Sequence, residues 1–352
     1  MKRLYNLDYL RGISAFGIMI YHYLSWSVGT FSAESFLGRI GLYGVSLFYV
    51  LSGLTLYYVY YNVMSPSLKD ILLFIKKRIF RIFPLLWLVT IISVIIVKKG
   101  INTYDLFLNL TGLFGFVKWE AYFSPGVWSI GNELVFYSFF PFFIYFSKHI
   151  KFLMLLVSLA ILSIYVYFAF FKLDLSVSLG LQWKVYINPL NQVFLFLGGY
   201  LIGYFFSSIN ISNRVSILLI FMSLCLFTFF PSSADPIDIV VGGPRLIFTL
   251  SCFLICLGFY KISFKLPDSI HKFFALLGES SYSIYLLHPL VFTMVSFLLT
   301  FLDGYGFKVP VLFKLTVAIS FSVVISYFVY EYFEKYFIRK ASTKQLKPRD
   351  IG

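Results

Sequence analysis

Apolar stretches long enough to cross about 30 Å of hydrocarbon follow one another along this chain, separated by short polar and mostly basic turns. Read as helices they number ten, at about residues 10–28, 38–62, 82–97, 127–147, 152–171, 188–207, 214–230, 241–260, 278–301 and 310–333. The pattern predicts an all-α, polytopic integral membrane protein with about ten transmembrane helices. Residues 1–340 read as one membrane domain and 341–352 as a basic cytoplasmic tail lying against an anionic inner leaflet. The third stretch is short. It is followed by Lys98, Lys99 and an apolar piece around 104–117, which reads as an interfacial helix or a re-entrant loop. Asp235 and Asp238 follow Pro231 in a segment read as a solvated outer turn. No internal repeat is visible, which weakens the case for an inverted-repeat transporter.

Composition agrees with the pattern. The 352 residues are 60% hydrophobic and 12% charged, against about 25% charged in an average soluble domain. The net charge of +14 has to be read by side. With the N-terminus inside, 20 of the 29 Lys and Arg fall in inner segments, which orients both termini to the cytoplasm. The charge is therefore no sign of nucleic acid. Cys225, Cys252 and Cys256 lie in apolar runs with no His or carboxylate nearby in sequence, so no metal site is expected. The first run resembles a signal peptide in position, but it holds Arg11 and His22 and lacks a small-residue cleavage site after Tyr23. It reads as a retained span.

Four groups of polar residues stand out against this apolar background. In LDYLRGISAFGIMIYHY, Arg11 and His22 are 11 positions apart, which places them within about 20° of one helix face and about 16 Å apart along it. An ionisable side chain that deep in lipid is expensive and normally faces a protein-lined cavity; a buried histidine with one hydrogen bond is the plainer alternative. In KKRIFRIFPLLW, Arg78 and Arg81 share a helix face before Pro84. Two guanidiniums suit a phosphate-bearing ligand at the cytoplasmic edge, whereas simple anchoring to lipid headgroups accounts for Lys76 and Lys77. In WSIGNELVFY, Trp128 is expected at the outer interface with Glu133 about 8 Å deeper and Tyr137 one turn further on. In GESSYSIYLLHPL, Ser281, Tyr285 and His288 recur on one face, and Pro289 suggests a kink beside a cavity. The remaining histidines, His149 and His271, lie among lysines and read as solvated.

Taken together, these motifs resemble the bacterial membrane acyltransferase family 3, integral-membrane enzymes that O-acetylate cell-envelope saccharides. The resemblance covers essentially the whole chain. It is carried by LDYLRG with His22 beyond it, LFYVLSG at 47–53, Arg78 and Arg81 before Pro84, WSIGNELVFY, SYSIYLLHP and YEYFEK at 330–335. It implies acyl-coenzyme A, in the first instance acetyl-CoA, as donor, with Arg11, Arg78 and Arg81 as its binding residues. It also matches Glu133 to the first acid of the family's WSLSxE pattern. The sequence departs from that pattern at Leu134, where a second acid is usual, at Gly131 and Asn132, and at Tyr336, where many members carry proline.

The expected function is acyl transfer from acyl-CoA to a hydroxyl of an envelope saccharide at the bacterial inner membrane. His22 acts as general base or transient acyl carrier in this reading, with Glu133 and His288 completing the catalytic set. Trp128, Tyr137, Ser281 and Tyr285 are the candidate substrate-binding residues. Many relatives add a soluble extracytoplasmic domain; this chain is expected to act alone or to pass the acyl group to a separate extracytoplasmic transferase. The rival is a secondary transporter or flippase with His22, Glu133 and His288 as a proton relay. A structural role in polysaccharide assembly is a third reading.

Overall fold

Helices account for most of the computed structural model, which describes residues 3–97, 100–305 and 308–341. In chain order they are α1 (Tyr5–Val28), α2 (Phe36–Tyr60), α3 (Leu68–Val97), α4 (Thr103–Thr111), α5 (Phe114–Val117), α6 (Val127–His149), α7 (Lys151–Tyr167), α8 (Trp183–Tyr186), α9 (Pro189–Phe206), α10 (Asn213–Phe229), α11 (Gly242–Lys261), α12 (Asp268–Glu279), α13 (Ser281–Asp303), α14 (Val311–Phe328) and α15 (Lys335–Ala341). Two π-helical segments, Phe168–Lys172 and Val329–Glu334, prolong α7 and join α14 to α15. There is no strand among the described residues. Lys98, Lys99 and residues 342–352, nearly all of the expected tail, lie outside them.

Eight of the described helical segments are long and apolar enough to cross a membrane. The other two expected spans are helices as well. α1 has 24 residues but carries Asp8 in its first turn and Arg11 and His22 beyond it, and α10 is an apolar helix of 17 residues. The chain is thus a polytopic, all-α membrane protein.

Helices approach closely where glycines face one another. A Cβ on Gly53 of α2 would lie 2.0 Å from the Phe196 carbonyl oxygen of α9, and one on Gly199 would lie 1.9 Å from the Val50 carbonyl oxygen. Small residues thus bring the two backbones together, the usual device for helix association in lipid. The same device seats α1 on α12, where a Cβ on Gly12 would meet the backbone of Gly278 at 2.6 Å. The α1–α12 contact is further fixed by Arg3, which binds Asp8 at 2.7 Å and Glu279 at 2.6 Å.

Arg39, 2% exposed near the start of α2, closes the end of α10. Its guanidinium donates to the carbonyls of Ala33, Phe227, Thr228 and Phe230 and to Ser232 Oγ, at 2.7–2.9 Å. A cation at a helix C-terminus satisfies carbonyls that lack intrahelical partners.

Two expectations need correction. The helix of the third span begins at Leu68, not 82: the basic stretch before 82 belongs to it and it continues straight through Pro84. Lys76 is exposed and Lys77 half-buried on this helix, whereas Arg78 and Arg81 turn inward to a cavity. His271 is not simply solvated: its Nδ1 lies 2.5 Å from Tyr9 Oη, and its ring meets Tyr5 edge-on. The segment after α3, expected as an interfacial helix or a re-entrant loop, forms two short helices, α4 and α5, with Phe114 fully buried. Trp128, at the start of α6, is buried against Trp183.

Candidate active site

The N-terminal half of α3 delivers Arg78 and Arg81 to a cavity of about 190 Å³ that Arg11 of α1 also lines. The three guanidiniums are held in different ways. Arg11 donates to Asp8 Oδ1 at 3.0 Å and to Thr55 Oγ1 of α2 at 2.9 Å. Arg81 pairs with Glu334 Oε2 at 2.9 Å. The other oxygen of Glu334 accepts from Ser283 Oγ, so one buried carboxylate ties α3 to α13 and to the π-segment before α15. Arg78 is the least engaged. It has a single hydrogen bond of 3.4 Å to Tyr60 Oη, its Nε has no partner, and it lies between the rings of Tyr60, Phe74 and Tyr137 at 5.8–5.9 Å. Aromatic faces hold a guanidinium without using its N–H groups. Those donors remain available to an anion entering the cavity.

Glu133 lines the same cavity from α6, as do Tyr137 and Ser52. Tyr137 Oη donates to Glu133 Oε2 at 2.8 Å and lies 3.1 Å from Ser52 Oγ. With the phenol proton given to the carboxylate, Ser52 is the donor in the second bond. Ser281 and Tyr285 of α13 also line the cavity. Tyr285 is bound to the first turn of α6, its Oη accepting from Ser129 Oγ at 2.9 Å and donating to the Gly126 carbonyl at 3.2 Å. Trp128 is absent from the lining and packs on Trp183 and Tyr186.

His22 and His288 come together one turn beyond Tyr285. His22 Nδ1 lies 2.8 Å from His288 Nε2, with the two rings edge to edge, their centroids 5.1 Å apart and their planes within 12° of parallel. The second nitrogen of His288, Nδ1, lies 3.1 Å from the carbonyl oxygen of Ile284. A carbonyl only accepts, so Nδ1 of neutral His288 carries the proton and its Nε2 is the lone-pair nitrogen. His22 must then donate from Nδ1, which leaves its Nε2 unprotonated. Trp26 stacks on His22 at 5.0 Å and 7°. Tyr23 Oη donates to the His288 carbonyl at 2.8 Å and also contacts Ser322 of α14. His288 is fully buried, while His22 keeps some exposed surface.

The fold therefore gathers Arg11, Arg78, Arg81, Glu133, Tyr137, Ser281 and Tyr285 around one cavity and joins His22 to His288 beside it. Glu133 bonds Tyr137 and neither histidine. Glu334, Ser52, Thr55 and Tyr60 were not singled out from the sequence. For Glu334 a signal existed, a carboxylate within the last apolar stretch in YEYFEK; hydroxyls such as Ser52 and Thr55 carry none. No metal-binding group of His, Cys, Asp or Glu occurs among the described residues.

A helical membrane bundle with basic and imidazole side chains at its centre is the frame of several kinds of enzyme and carrier. Comparison with known families separates them: the model of acyltransferase family 3, an acyltransferase domain, matches residues 4–331, and the chain belongs to that family. It is a membrane acyltransferase. No curated protein and no solved structure matches it.

Proposed function

We propose that the protein moves an acetyl group from acetyl-CoA, bound at the arginine cavity from the cytoplasmic side, to a hydroxyl of an envelope saccharide. The observation that carries this reading is the His22–His288 pair beside a cavity whose Arg78 has donors to spare. Arg11, Arg78 and Arg81 grip the anionic part of the donor, where planar forks match phosphate oxygens. A cavity of about 190 Å³ takes only part of so large a molecule, and the remainder lies at its mouth. His22 Nε2 takes the proton of the acceptor hydroxyl as the oxygen attacks the thioester carbonyl. The C–S bond breaks, and the departing thiolate recovers a proton. His288 accepts from His22 Nδ1 and holds its tautomer, as a third group orients the base in other hydrolases and transferases.

The transporter reading needs Glu133 and the two histidines in one relay. Glu133 instead bonds Tyr137, which disfavours it. The test is thiol release from acetyl-CoA by the purified full-length protein, with and without membrane-extracted saccharide, alongside mass spectrometry of envelope polysaccharide from cells with and without the gene. Acceptor-dependent thiol release and loss of acetyl esters are expected. Solute movement without thioester consumption would overturn the proposal.

A further inference from the structure

Beyond the histidine pair lies a second cavity, of about 390 Å³, within the roughly 300–1,000 Å³ usual for small-molecule sites. It is lined by Trp26, Ser93, Phe123, Ser124, Pro289 and Thr293, among others. Three elements run from one cavity to the other past the histidines. On α1 the order is Arg11, His22, Trp26; on α13 it is Tyr285, His288, Pro289; and α3 passes from Arg78 and Arg81 to Ser93. Trp26, a wall of the second cavity, is stacked directly on His22.

The chemistry of this lining is specific. Ser93 and Ser124 are 4% and 2% exposed, and neither hydroxyl has a hydrogen-bond partner. A buried hydroxyl left unpaired is costly unless a ligand or water completes it. None of the described lining residues is charged, in contrast to the three arginines of the first cavity. An indole platform with two unpaired hydroxyls suits a ring that has an apolar C–H face and hydroxyls at its edge. A phosphate would find no cation among the described lining residues, the nearby Lys314 ammonium lying 5.7 Å from the ring of Phe292, and a hydrocarbon chain would leave both serines unpaired.

We infer that this second cavity is the acceptor subsite and takes an uncharged glycosyl ring, which presents its hydroxyl to His22 from the side opposite the arginines. The inference rests on the acyl-transfer reading for the role of His22, while the binding of a sugar at Trp26 stands apart from it.

The test uses full-length protein in lipid nanodiscs, titrated with a panel of neutral methyl glycosides and the corresponding uronic acids. Tryptophan fluorescence is read in wild type and in Trp26→Phe, and radiolabelled acetyl-CoA binding is measured in parallel. A neutral glycoside is expected to change the fluorescence in wild type and not in Trp26→Phe. Ser93→Ala and Ser124→Ala should each weaken that binding by about fivefold, as loss of one neutral hydrogen bond does, with acetyl-CoA binding unchanged. Intact acetyl-CoA binding also establishes that each variant is folded. The inference is overturned if no neutral glycoside perturbs Trp26, if uronic acids bind as tightly, or if the serine variants bind as wild type does. Sugar binding without acetyl-CoA binding would sink the donor assignment and leave the sugar site standing.

Discussion

His22 and His288 are separated by 266 residues and meet at 2.8 Å, nitrogen to nitrogen. The Ile284 carbonyl fixes the direction of that bond. It claims the Nδ1 proton of His288, which obliges His22 to donate and turns the other nitrogen of His22 into the free lone pair. A single backbone oxygen on α13 thus sets the protonation pattern of a side chain on α1.

His22→Ala is expected to lower transfer by about 10²–10⁴-fold, the usual loss for a general base, with acetyl-CoA binding retained because the arginines lie elsewhere. Single-turnover transfer and equilibrium donor binding check both halves. A near wild-type rate would return His22 to the role of a core histidine.

His288 is a positioning residue, and its replacement separates that role from chemistry. His288→Gln keeps an amide oxygen able to accept from His22, whereas His288→Ala leaves the His22 Nδ1–H unpaired. Transfer should fall in the order wild type, Gln, Ala, in kcat and not in the KM for donor. Equal activity in all three would show that the tautomer is set by other means.

Changing Arg78 and Arg81 together to lysine preserves charge and removes the planar forks. Donor affinity should drop by roughly tenfold or more, with membrane insertion unchanged, as read by acetyl-CoA binding to purified protein. Normal donor binding by the double lysine variant would reduce both residues to charge alone.

Glu334 is 2% exposed and holds Arg81 and Ser283 together. Glu334→Gln keeps the shape but loses the charge, leaving the Arg81 guanidinium without its carboxylate partner. The expected outcome is a lower thermal midpoint together with weaker donor binding; Ser283→Ala should be milder on both. A Glu334→Gln protein with wild-type donor affinity would make the pair purely structural.

A reporter fused after Ala341 should give a cytoplasmic signal, as the basic inner segments require. An extracytoplasmic signal would invert the cavities and remove the donor from its proposed side.

The helical, many-spanning architecture was readable because membrane helices must satisfy their backbone internally and so declare themselves as apolar runs. Arg11, His22, Arg78, Glu133 and His288 were readable for the converse reason: a polar side chain in such a run is conspicuous. What stayed hidden depended on contacts distant in sequence. Nothing near His22 indicates His288 as its partner, and nothing in WSIGNELVFY shows that Trp183 and Tyr186 of α8 pack against Trp128. The π-segment Val329–Glu334 has no apolar period of its own. Widened turns of this kind often accompany functional positions, and here the segment ends on the carboxylate that holds Arg81.

Arg39 gives this architecture a timetable. Apart from Ala33, the groups that satisfy its guanidinium belong to residues 188 to 193 positions further along the chain. At about 5–20 residues per second, the ribosome needs on the order of ten to forty seconds to make them. For that interval α2 waits with a guanidinium whose final partners have not been synthesised, so α2 reaches its final seat only after the end of α10 has emerged.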